Sequence, residues 1–421
     1  MNQEDTSQRF HSANPHALHA ILAASETQAI IACRDIFDIS GIKLWARDQP
    51  VSQDLQRKLM DRVLQQPLEA CLVAEDGVST QTLVQALNAL LAQDGPLSPL
   101  LRPAAPALLT GAAAVRLHPV VQLLLTASQS SRPQAFAHAI EAMAMCGAMA
   151  KHSGGDERQV ARAMTAGLLH DIGEMYMAPE YGEADVGETL DVECFRQLVV
   201  HPHVGRLLIG QLTDYPKDIV RAVGEHHERL DGTGYPYRLQ GDQISTLGRL
   251  MAAAEAALAS LRTPGTTLQH ASVALRVIPG EFDDRLAGPL SEAARRGQPL
   301  LAKHSLEELR ADLSRMNVGL QTSLNRLEAS IPPMPSAGLQ RAADISRHLL
   351  MRLRSGWNES GLWSPDAIGP EQVAEVEAIQ ETLRQRMRTI ERAARLSAGE
   401  LSDDEAEHLD HMCACLTDEL N

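Results

Sequence analysis

Apolar side chains recur every three or four residues over most of the chain, and this spacing predicts α-helices. Residues 1–26 are expected to form a polar tail followed by a short helix. Ser52 stands directly before one apolar-periodic stretch, where its hydroxyl suits a helix N-cap. Helices are predicted at Ser52–Gln65, Ser79–Gln93, Pro133–Lys151, Asp156–His170, Ile219–Glu228, Ile244–Glu255, Ser305–Ala329 and at about 337–355 and 370–397.

Three short apolar runs near the N-terminus lack helical spacing and predict β-strands. They are Ala29–Cys33, Ile42–Ala46 and Leu68–Ala74, and the turn residues of Asp35–Gly41 separate the first two. Together with the helices between and after them, they indicate a small α+β module at residues 27–94. No catalytic pattern stands out in this module, so its expected role is packing, signal input or dimerisation.

Four prolines lie within Gly95–Pro106, and this density predicts a linker over residues 95–118. The chain after it is expected to form an all-helical domain at residues 119–300 and a helical region at residues 301–421. The fold class predicted for the whole chain is therefore mainly α, with the N-terminal module as the exception.

The C-terminal region carries two long apolar stripes. In Ser305–Ala329 the leucines are spaced by three, four and seven residues, as in a coiled coil. Such stripes form a core or bind a partner, so a protein partner or a homo-oligomer is expected here. The last stretch is an acidic tail whose two histidines and two cysteines, without paired spacing, do not predict a metal site. These four residues are His408, His411, Cys413 and Cys415.

Composition narrows the function classes. The formal net charge is −16, which argues against a nucleic-acid polymer as partner, because phosphate backbones are bound by clustered Lys and Arg. A small anionic nucleotide stays possible, since bound metal ions supply local positive charge. No apolar run approaches the ~20 residues of a membrane span, and the polar N-terminus lacks the features of a signal peptide. A cytoplasmic protein that does not enter a membrane is expected.

The chemistry concentrates between Leu168 and Glu255. This stretch holds the pair His170-Asp171, the isolated His201, and the pair His226-His227. Imidazole and carboxylate groups bind Fe, Mn and Zn, and a carboxylate can bridge two ions. Pro202 places His201 at the start of a helix, while His203 is expected to point elsewhere. Neighbouring residues of a helix diverge by ~100°, so His226 and His227 can both be ligands if the site is as wide as two ions.

Two motifs in this stretch resemble a known family. Leu169–Gly173 and His226–Pro236, the second ending in Gly234-Tyr235-Pro236, are similar to those of the HD-GYP domain, the bacterial metal-dependent cyclic di-GMP phosphodiesterases of the HD superfamily. The resemblance covers about residues 119–296. It implies an all-helical metal-binding bundle.

The resemblance also implies the ligands of the metal ions. His138 lies 32 residues before His170, about where the family has its first metal histidine. Glu255 stands where the family has a metal-binding Asp, and its apolar surroundings would make an unpaired carboxylate costly. The expected ligands are His138, His170, Asp171, His201, His226, His227 and Glu255.

The implied reaction is hydrolysis of a phosphodiester bond of cyclic di-GMP at two divalent ions, Fe or Mn being preferred. Two ions bridged by Asp171 lower the pKa of a bridging water, so that His170 and Asp171 are the expected catalytic residues. The wall of the substrate site is expected to include Gly234, Tyr235 and Pro236.

Three departures from the family pattern bear on this reaction. The usual Lys after His-Asp-Ile-Gly is Glu174 here, which is expected to slow the reaction or to add a ligand. Gln134 replaces a Glu found in members with three metal ions and favours two ions. The family's Arg-Pro-Tyr segment is reduced to Leu261–Pro264, in which Arg262 is the candidate phosphate-binding residue.

Two functions from different classes follow. The first is an active cyclic di-GMP phosphodiesterase. The alternative is a catalytically weak receptor for cyclic di-GMP or a protein-interaction scaffold that keeps its metal ions. A nucleotide phosphohydrolase on the broader HD fold is a third possibility, against which the Gly-Tyr-Pro turn argues.

Overall fold

The computed structural model describes residues 10–179, 196–263, 265–361, 364, 368–399 and 401–417, apart from the side chains of 415–417. Over these residues the fold is mainly α, as predicted. The described residues form two compact units, one of residues 10–179 and 197–255 and the other of Arg196 with the residues from 256 onward. The domain boundaries predicted from the sequence stay a prediction.

The first unit contains nine helices among its described residues, besides the start of a tenth. They are α1 (Pro15–Ser25), α2 (Gln53–Leu59), α3 (Thr80–Ala92), α4 (Ser98–Ala114), α5 (Pro119–Ser131), α6 (Pro133–His152), α7 (Glu157–Leu169), α8 (His201–Leu212) and α9 (Lys217–Val223). Helix α10 (Thr246–Ser260) contains Glu255, the last residue of this unit. The apolar faces of α6 and α7 pack closely together, and α4 packs against both.

The N-terminal α+β module has two small antiparallel sheets. Strand β1 (Ile30–Ala32) pairs with β4 (Leu72–Ala74), and β2 (Ile36–Phe37) pairs with β3 (Lys43–Trp45). The predicted strand at Leu68–Ala74 is only half extended, because a 3₁₀ turn at Leu68–Ala70 precedes β4. Helix α5 packs against β4 and this turn, so the module shares a core with the helices that follow it.

Helix α2 is shorter than predicted. It ends at Leu59, because Met60 is extended and Asp61 has a positive φ of 57°. Ser52 occupies the predicted N-cap position, but its side chain makes no capping hydrogen bond. Local spacing therefore located the helix, while the backbone turn that ends it has no clear sequence signal.

The predicted linker at residues 95–118 is wrong for most of its length, because α4 occupies it. Pro99 lies in the first turn, where a missing N–H costs nothing, but Pro103 and Pro106 stand inside the helix. The helix buries Leu100 and Leu108 completely. Apolar burial against α3, α6 and α7 outweighs the helix-breaking tendency of the prolines.

The second unit is helical over its described residues. Its helices after α10 are α11 (Leu268–Ala274), α12 (Asp284–Arg296), α13 (Leu306–Ser330), α14 (Ala337–Ser360), α15 (Val373–Ala398) and α16 (Asp403–Thr417). The apolar stripes predicted for the C-terminal region, including Leu313 and Leu320 of α13 and Leu383 of α15, are buried in the core of this unit. The predicted acidic tail forms α16, since acidic residues in a first turn stabilise the N-terminus of a helix.

No single helix in the described part of the chain is both long enough and apolar enough to cross a membrane. Helices α4 and α5 meet the two criteria only when taken together across a bend of 118°.

Candidate metal centre

Helices α6 and α7 carry the first three residues of the site. His138 lies on α6, and α7 ends directly before His170 and Asp171. Gly167 permits close packing of the two helices, because a Cβ atom at this position would overlap the backbone carbonyl of Ala142. The three side chains are thereby held in the interior, and His170 is 2% exposed.

A second close approach joins this pair to α8. Gly173, in the 3₁₀ turn Ile172–Tyr176, has no room for a Cβ atom because the carbonyl of His201 and the amide of Gly205 occupy the space. The turn after Asp171 therefore lies directly on the first turn of α8. As predicted, α8 begins at His201, and this contact brings His201 beside Asp171.

His226 and His227 lie beyond the end of a helix, contrary to the prediction that a helix presents them. Helix α9 ends at Val223, and residues 224–227 form a turn. The carbonyl of Val223 accepts a hydrogen bond of 2.6 Å from Nδ1 of His226. Because the turn departs from helical geometry, two adjacent histidines face one site without the ~100° divergence of a helix.

The first cluster consists of His138, His170, Glu255 and one oxygen of Asp171. The Nε2 atoms of the two histidines are 3.2 Å apart. Oε2 of Glu255 lies 3.1 Å from Nε2 of His138 and 3.3 Å from that of His170. Oδ2 of Asp171 lies 3.0 Å from Nε2 of His170. Four potential ligand atoms thus converge on one point.

The second cluster consists of His201, His226, His227 and the other oxygen of Asp171. Oδ1 of Asp171 lies 3.2 Å from Nε2 of His201 and 3.4 Å from Nε2 of His226. These two ring nitrogens are 2.9 Å apart. Asp171 therefore directs one carboxylate oxygen to each cluster, which is the arrangement of a bridging ligand.

Three of the histidines are oriented by the same local interaction. The Nδ1–H groups of His170, His201 and His226 each donate to the carbonyl three residues earlier, at distances of 2.8, 2.7 and 2.6 Å. These acceptors belong to Gly167, Leu198 and Val223. The bonds turn Nε2 of each ring toward the site, and backbone carbonyls commonly orient metal-binding histidines in this way.

The charges of the site favour cations. Burial raises the pKa of Asp171, but the neighbouring histidines lower it more, and the net pKa is well below the usual value. Burial and His227 lower the pKa of His226 to about 3, so this ring is neutral at pH 7. Burial lowers the pKa of His170, yet Asp171 and Glu255 leave it well above the usual value. A metal ion at the first cluster would displace the proton of His170.

The Gly-Tyr-Pro turn packs against the second cluster. The ring of Tyr235 stacks on that of His227, with 4.5 Å between centroids and 18° between planes. A Cβ atom at Gly234 would overlap the backbone of Glu228, so the turn needs glycine there. The Tyr235-Pro236 peptide bond is cis. The three residues predicted to line the substrate site therefore lie beside the second cluster of candidate ligands.

Glu228 holds the chain that follows this turn. Its side chain is completely buried. Oε1 accepts a hydrogen bond of 2.7 Å from the amide of Tyr237, and Oε2 accepts one of 2.9 Å from the amide of Leu239. Glu228 was not among the predicted site residues, although its place next to His227 was a signal.

Other sequence-predicted residues lie outside the two clusters. His203 contacts the hydroxyl of Tyr237 at 2.8 Å. Gln134 is exposed on α6, and Arg262 is exposed in the second unit, so its role in phosphate binding stays a prediction. The residue after it, Thr263, is also exposed, and Pro264 lies outside the described residues.

Glu174 is buried in the turn after Asp171 and is 3% exposed. It belongs to neither cluster of potential ligands, and it lines a small cavity together with Asp171 and Arg132. Arg132, which the sequence analysis missed, is buried and donates to the carbonyls of Glu174 and Met177 at 2.8 and 2.5 Å. Nothing in the sequence around Arg132 indicates that it holds this turn.

Proteins of known function match the part of the chain that carries this site. Residues 122–284 match the model of the HD domain family. The chain is 34% identical over 138 residues to a cyclic di-GMP phosphodiesterase of Pseudomonas aeruginosa. The matched stretch covers 33% of this chain and 33% of the relative. It is 36% identical over 90 residues to a 3′3′-cGAMP-specific phosphodiesterase of Vibrio cholerae, covering 21% of this chain and 19% of the relative.

A cyclic di-GMP phosphodiesterase of Vibrio cholerae is 33% identical over 120 residues, covering 27% of this chain and 24% of the relative. The chain thus spans a third or less of the length of these relatives. The match includes every residue of the two clusters, since it runs from residue 122 to residue 284. Residues 122–284 are therefore similar to the HD domain, and two of the relatives that match part of the chain are named cyclic di-GMP phosphodiesterases.

Proposed function

We propose that the protein is a cyclic di-GMP phosphodiesterase with two divalent metal ions. One observation carries the proposal: the two oxygens of Asp171, whose side chain is 11% exposed, face two separate clusters of ligand atoms. Relatives that match part of the chain are named as phosphodiesterases of cyclic dinucleotides, two of them for cyclic di-GMP.

The residues of the site fit two metal ions. His138, His170, Glu255 and Oδ2 of Asp171 would hold one, and Oδ1 of Asp171 with the three remaining histidines would hold the other. Nitrogen and oxygen ligands of this kind suit Fe or Mn. Bound ions of this type supply Lewis acidity toward phosphate oxygens and lower the pKa of water.

The chain's own groups prepare the site for this chemistry. The carbonyl-bound Nδ1–H groups fix the rings of His170, His201 and His226, so that little reorganisation is needed when cations bind. Burial excludes bulk water and strengthens electrostatic interactions. The Gly234–Pro236 turn, held by the stack of Tyr235 on His227, would form a wall beside the scissile phosphate.

Glu174 supports a second candidate, a receptor that binds cyclic di-GMP with little turnover. The family has a Lys at this position, which can neutralise charge on the leaving oxygen. Glu174 is buried and carries a carboxyl group in place of the Lys ammonium, and the nearby guanidinium of Arg132 donates to two backbone carbonyls. A protein that keeps its metal ligands but lacks the family's Lys would bind the nucleotide and hydrolyse it slowly.

The experiment is an anaerobic incubation of the Fe- or Mn-loaded protein with cyclic di-GMP, followed by chromatography of the products. We expect the linear dinucleotide or GMP. The double variant His170→Ala/Asp171→Ala should form neither, while the exposed control His19→Ala should match the wild type. Tight binding of the nucleotide without product by the metal-loaded protein would refute hydrolysis and support the receptor.

A further inference from the structure

Two free cysteines lie opposite each other in the N-terminal module. Strand β1 pairs with β4 so that Ala32 is the partner of Leu72, and one further step along the register pairs Cys33 with Cys71. The amide of Cys33 donates to the carbonyl of Cys71 at 2.9 Å, while the amide of Cys71 donates to the carbonyl of Leu68, so the ladder ends at this pair. Neither cysteine forms a disulfide in the structure.

The register puts both thiols within reach of each other. Directly opposed residues of an antiparallel pair point to the same face of the sheet, with Cβ atoms about 4.5–5.5 Å apart. The Cα atoms of opposed residues in an antiparallel pair are about 4.5–5.5 Å apart, inside the range of about 4.4–6.8 Å that a disulfide spans. Sγ of Cys33 lies 3.7 Å from the carbonyl of Ala70, so it points toward the chain that carries Cys71.

The two thiols differ in access. Cys33 is partly exposed, whereas Cys71 is buried. Burial raises the pKa of Cys71 to about 11, and the positive charge of Arg34 opposes that rise. An oxidant from solution therefore meets Cys33 first, and Cys71 is placed to react with the product. Cys146 and Cys413 are both buried as well, so Cys33 is the one partly exposed thiol among the cysteines whose side chains the structure describes.

We propose that Cys33 and Cys71 are a redox-sensitive modification site that forms a reversible disulfide. The oxidant is a low-molecular-weight disulfide such as oxidised glutathione. The thiolate of Cys33 attacks it, a mixed disulfide forms and one glutathione thiolate leaves. Cys71 then loses its proton and attacks the Cys33 sulfur, and the second glutathione thiolate leaves and takes up that proton. Two protein thiols and one glutathione disulfide thus yield one protein disulfide and two glutathione molecules.

The closed bond would be easily reduced. Cross-linking two hydrogen-bonded positions of a short ladder constrains both strands, and strained or exposed disulfides have more oxidising potentials than structural ones. Such potentials are typical of disulfides that respond to the redox state of their surroundings. The site is separate from the metal centre, and it does not depend on the proposed function.

The test equilibrates the full-length wild-type protein in buffers with increasing ratios of oxidised to reduced glutathione. Each sample is quenched with acid, alkylated under denaturing conditions, digested with trypsin and analysed by mass spectrometry. We expect a linked pair of peptides containing Cys33 and Cys71 that increases with the ratio and disappears with dithiothreitol. The peptide of Cys146 should stay alkylated and serves as the internal control.

Two variants separate the roles of the thiols. Cys71→Ser should leave Cys33 as the glutathione adduct, and Cys33→Ser should leave Cys71 alkylated and unmodified by glutathione. The proposal is overturned if both wild-type thiols stay fully alkylated at every ratio. It is equally overturned if Cys33 stops at the glutathione adduct or is linked to a different cysteine. The results for the wild-type protein decide the proposal even if a variant fails to fold.

Discussion

A substitution of Glu228 tests whether this one buried carboxylate holds the chain after the Gly-Tyr-Pro turn. Each of its two oxygens accepts a hydrogen bond from a backbone amide, those of Tyr237 and Leu239. Glu228→Gln keeps the shape but turns one acceptor into a donor that faces an N–H group. A hydrogen bond to a charged group contributes about 1.5–3 kcal/mol, and the remaining bond becomes a weaker neutral one.

The expected net cost is smaller than the bonds suggest. Burial raises the pKa of Glu228, so removing its charge regains part of the loss. We expect segment 229–240 to open more easily by about 2 kcal/mol, which is about 30-fold in the opening equilibrium. Hydrogen exchange measured by mass spectrometry should show this increase in exchange for peptides that contain Tyr237 and Leu239.

The matched control is Glu157→Gln, which changes an exposed carboxylate in the first turn of α7. Substitutions of this kind change stability by no more than about 0.5 kcal/mol. Exchange in segment 229–240 should therefore equal that of the wild type. If Glu228→Gln also leaves exchange within threefold of the wild type, Glu228 does not hold the segment and the reasoning is refuted.

Two further substitutions test the packing of the site, and a third tests Glu69, a buried residue of the 3₁₀ turn Leu68–Ala70. Gly173→Ala should lower metal affinity at least about tenfold, because the new methyl group overlaps the His201 carbonyl; a metal titration with wild-type affinity would contradict this. Tyr235→Leu removes the stack on His227, which contributes about 1 kcal/mol. In the same titration, metal affinity at the second cluster should fall about fivefold. Equal affinities of variant and wild type would exclude a role for the stack. Burial raises the pKa of Glu69, so the folded wild type keeps a proton that the unfolded chain loses near pH 4.3. Its stability should then fall, by up to about 1.4 kcal/mol per pH unit, as the pH rises from there toward the folded pKa, and urea denaturation of Glu69→Gln should lack this slope; parallel pH profiles would disprove it.

The sequence indicated the residues that the structure brings together in the two clusters, because their metal-binding chemistry is local to each residue. His and Asp suit metal ions in any fold, and the motifs around His170 and His226 carry the resemblance to the family. Helical spacing located α6 and α7 to within a residue or two at each end. The bridging position of Asp171 was expected from the resemblance, and the structure has its two oxygens facing different clusters.

The errors arose where distant packing overrides local preference. Prolines predicted a linker at residues 95–118, but burial of Leu100 and Leu108 forms α4 there. Helical periodicity reports the spacing of apolar residues and could not show that α9 ends at Val223. The carbonyl of Val223 there accepts a hydrogen bond from the ring of His226. Arg132 was missed since its acceptors, two backbone carbonyls more than 40 residues away, leave no pattern in the sequence.

The most direct test is the rate of cyclic di-GMP hydrolysis while Mn²⁺ is added to metal-free protein from zero to two equivalents. If Asp171 bridges two ions that act together, the rate at one equivalent should be well below half of the final rate, and most of the increase should come with the second. Asp171→Asn should stay inactive throughout. Full rate at one equivalent would contradict a two-metal centre, and no hydrolysis with two ions bound would contradict the proposed activity.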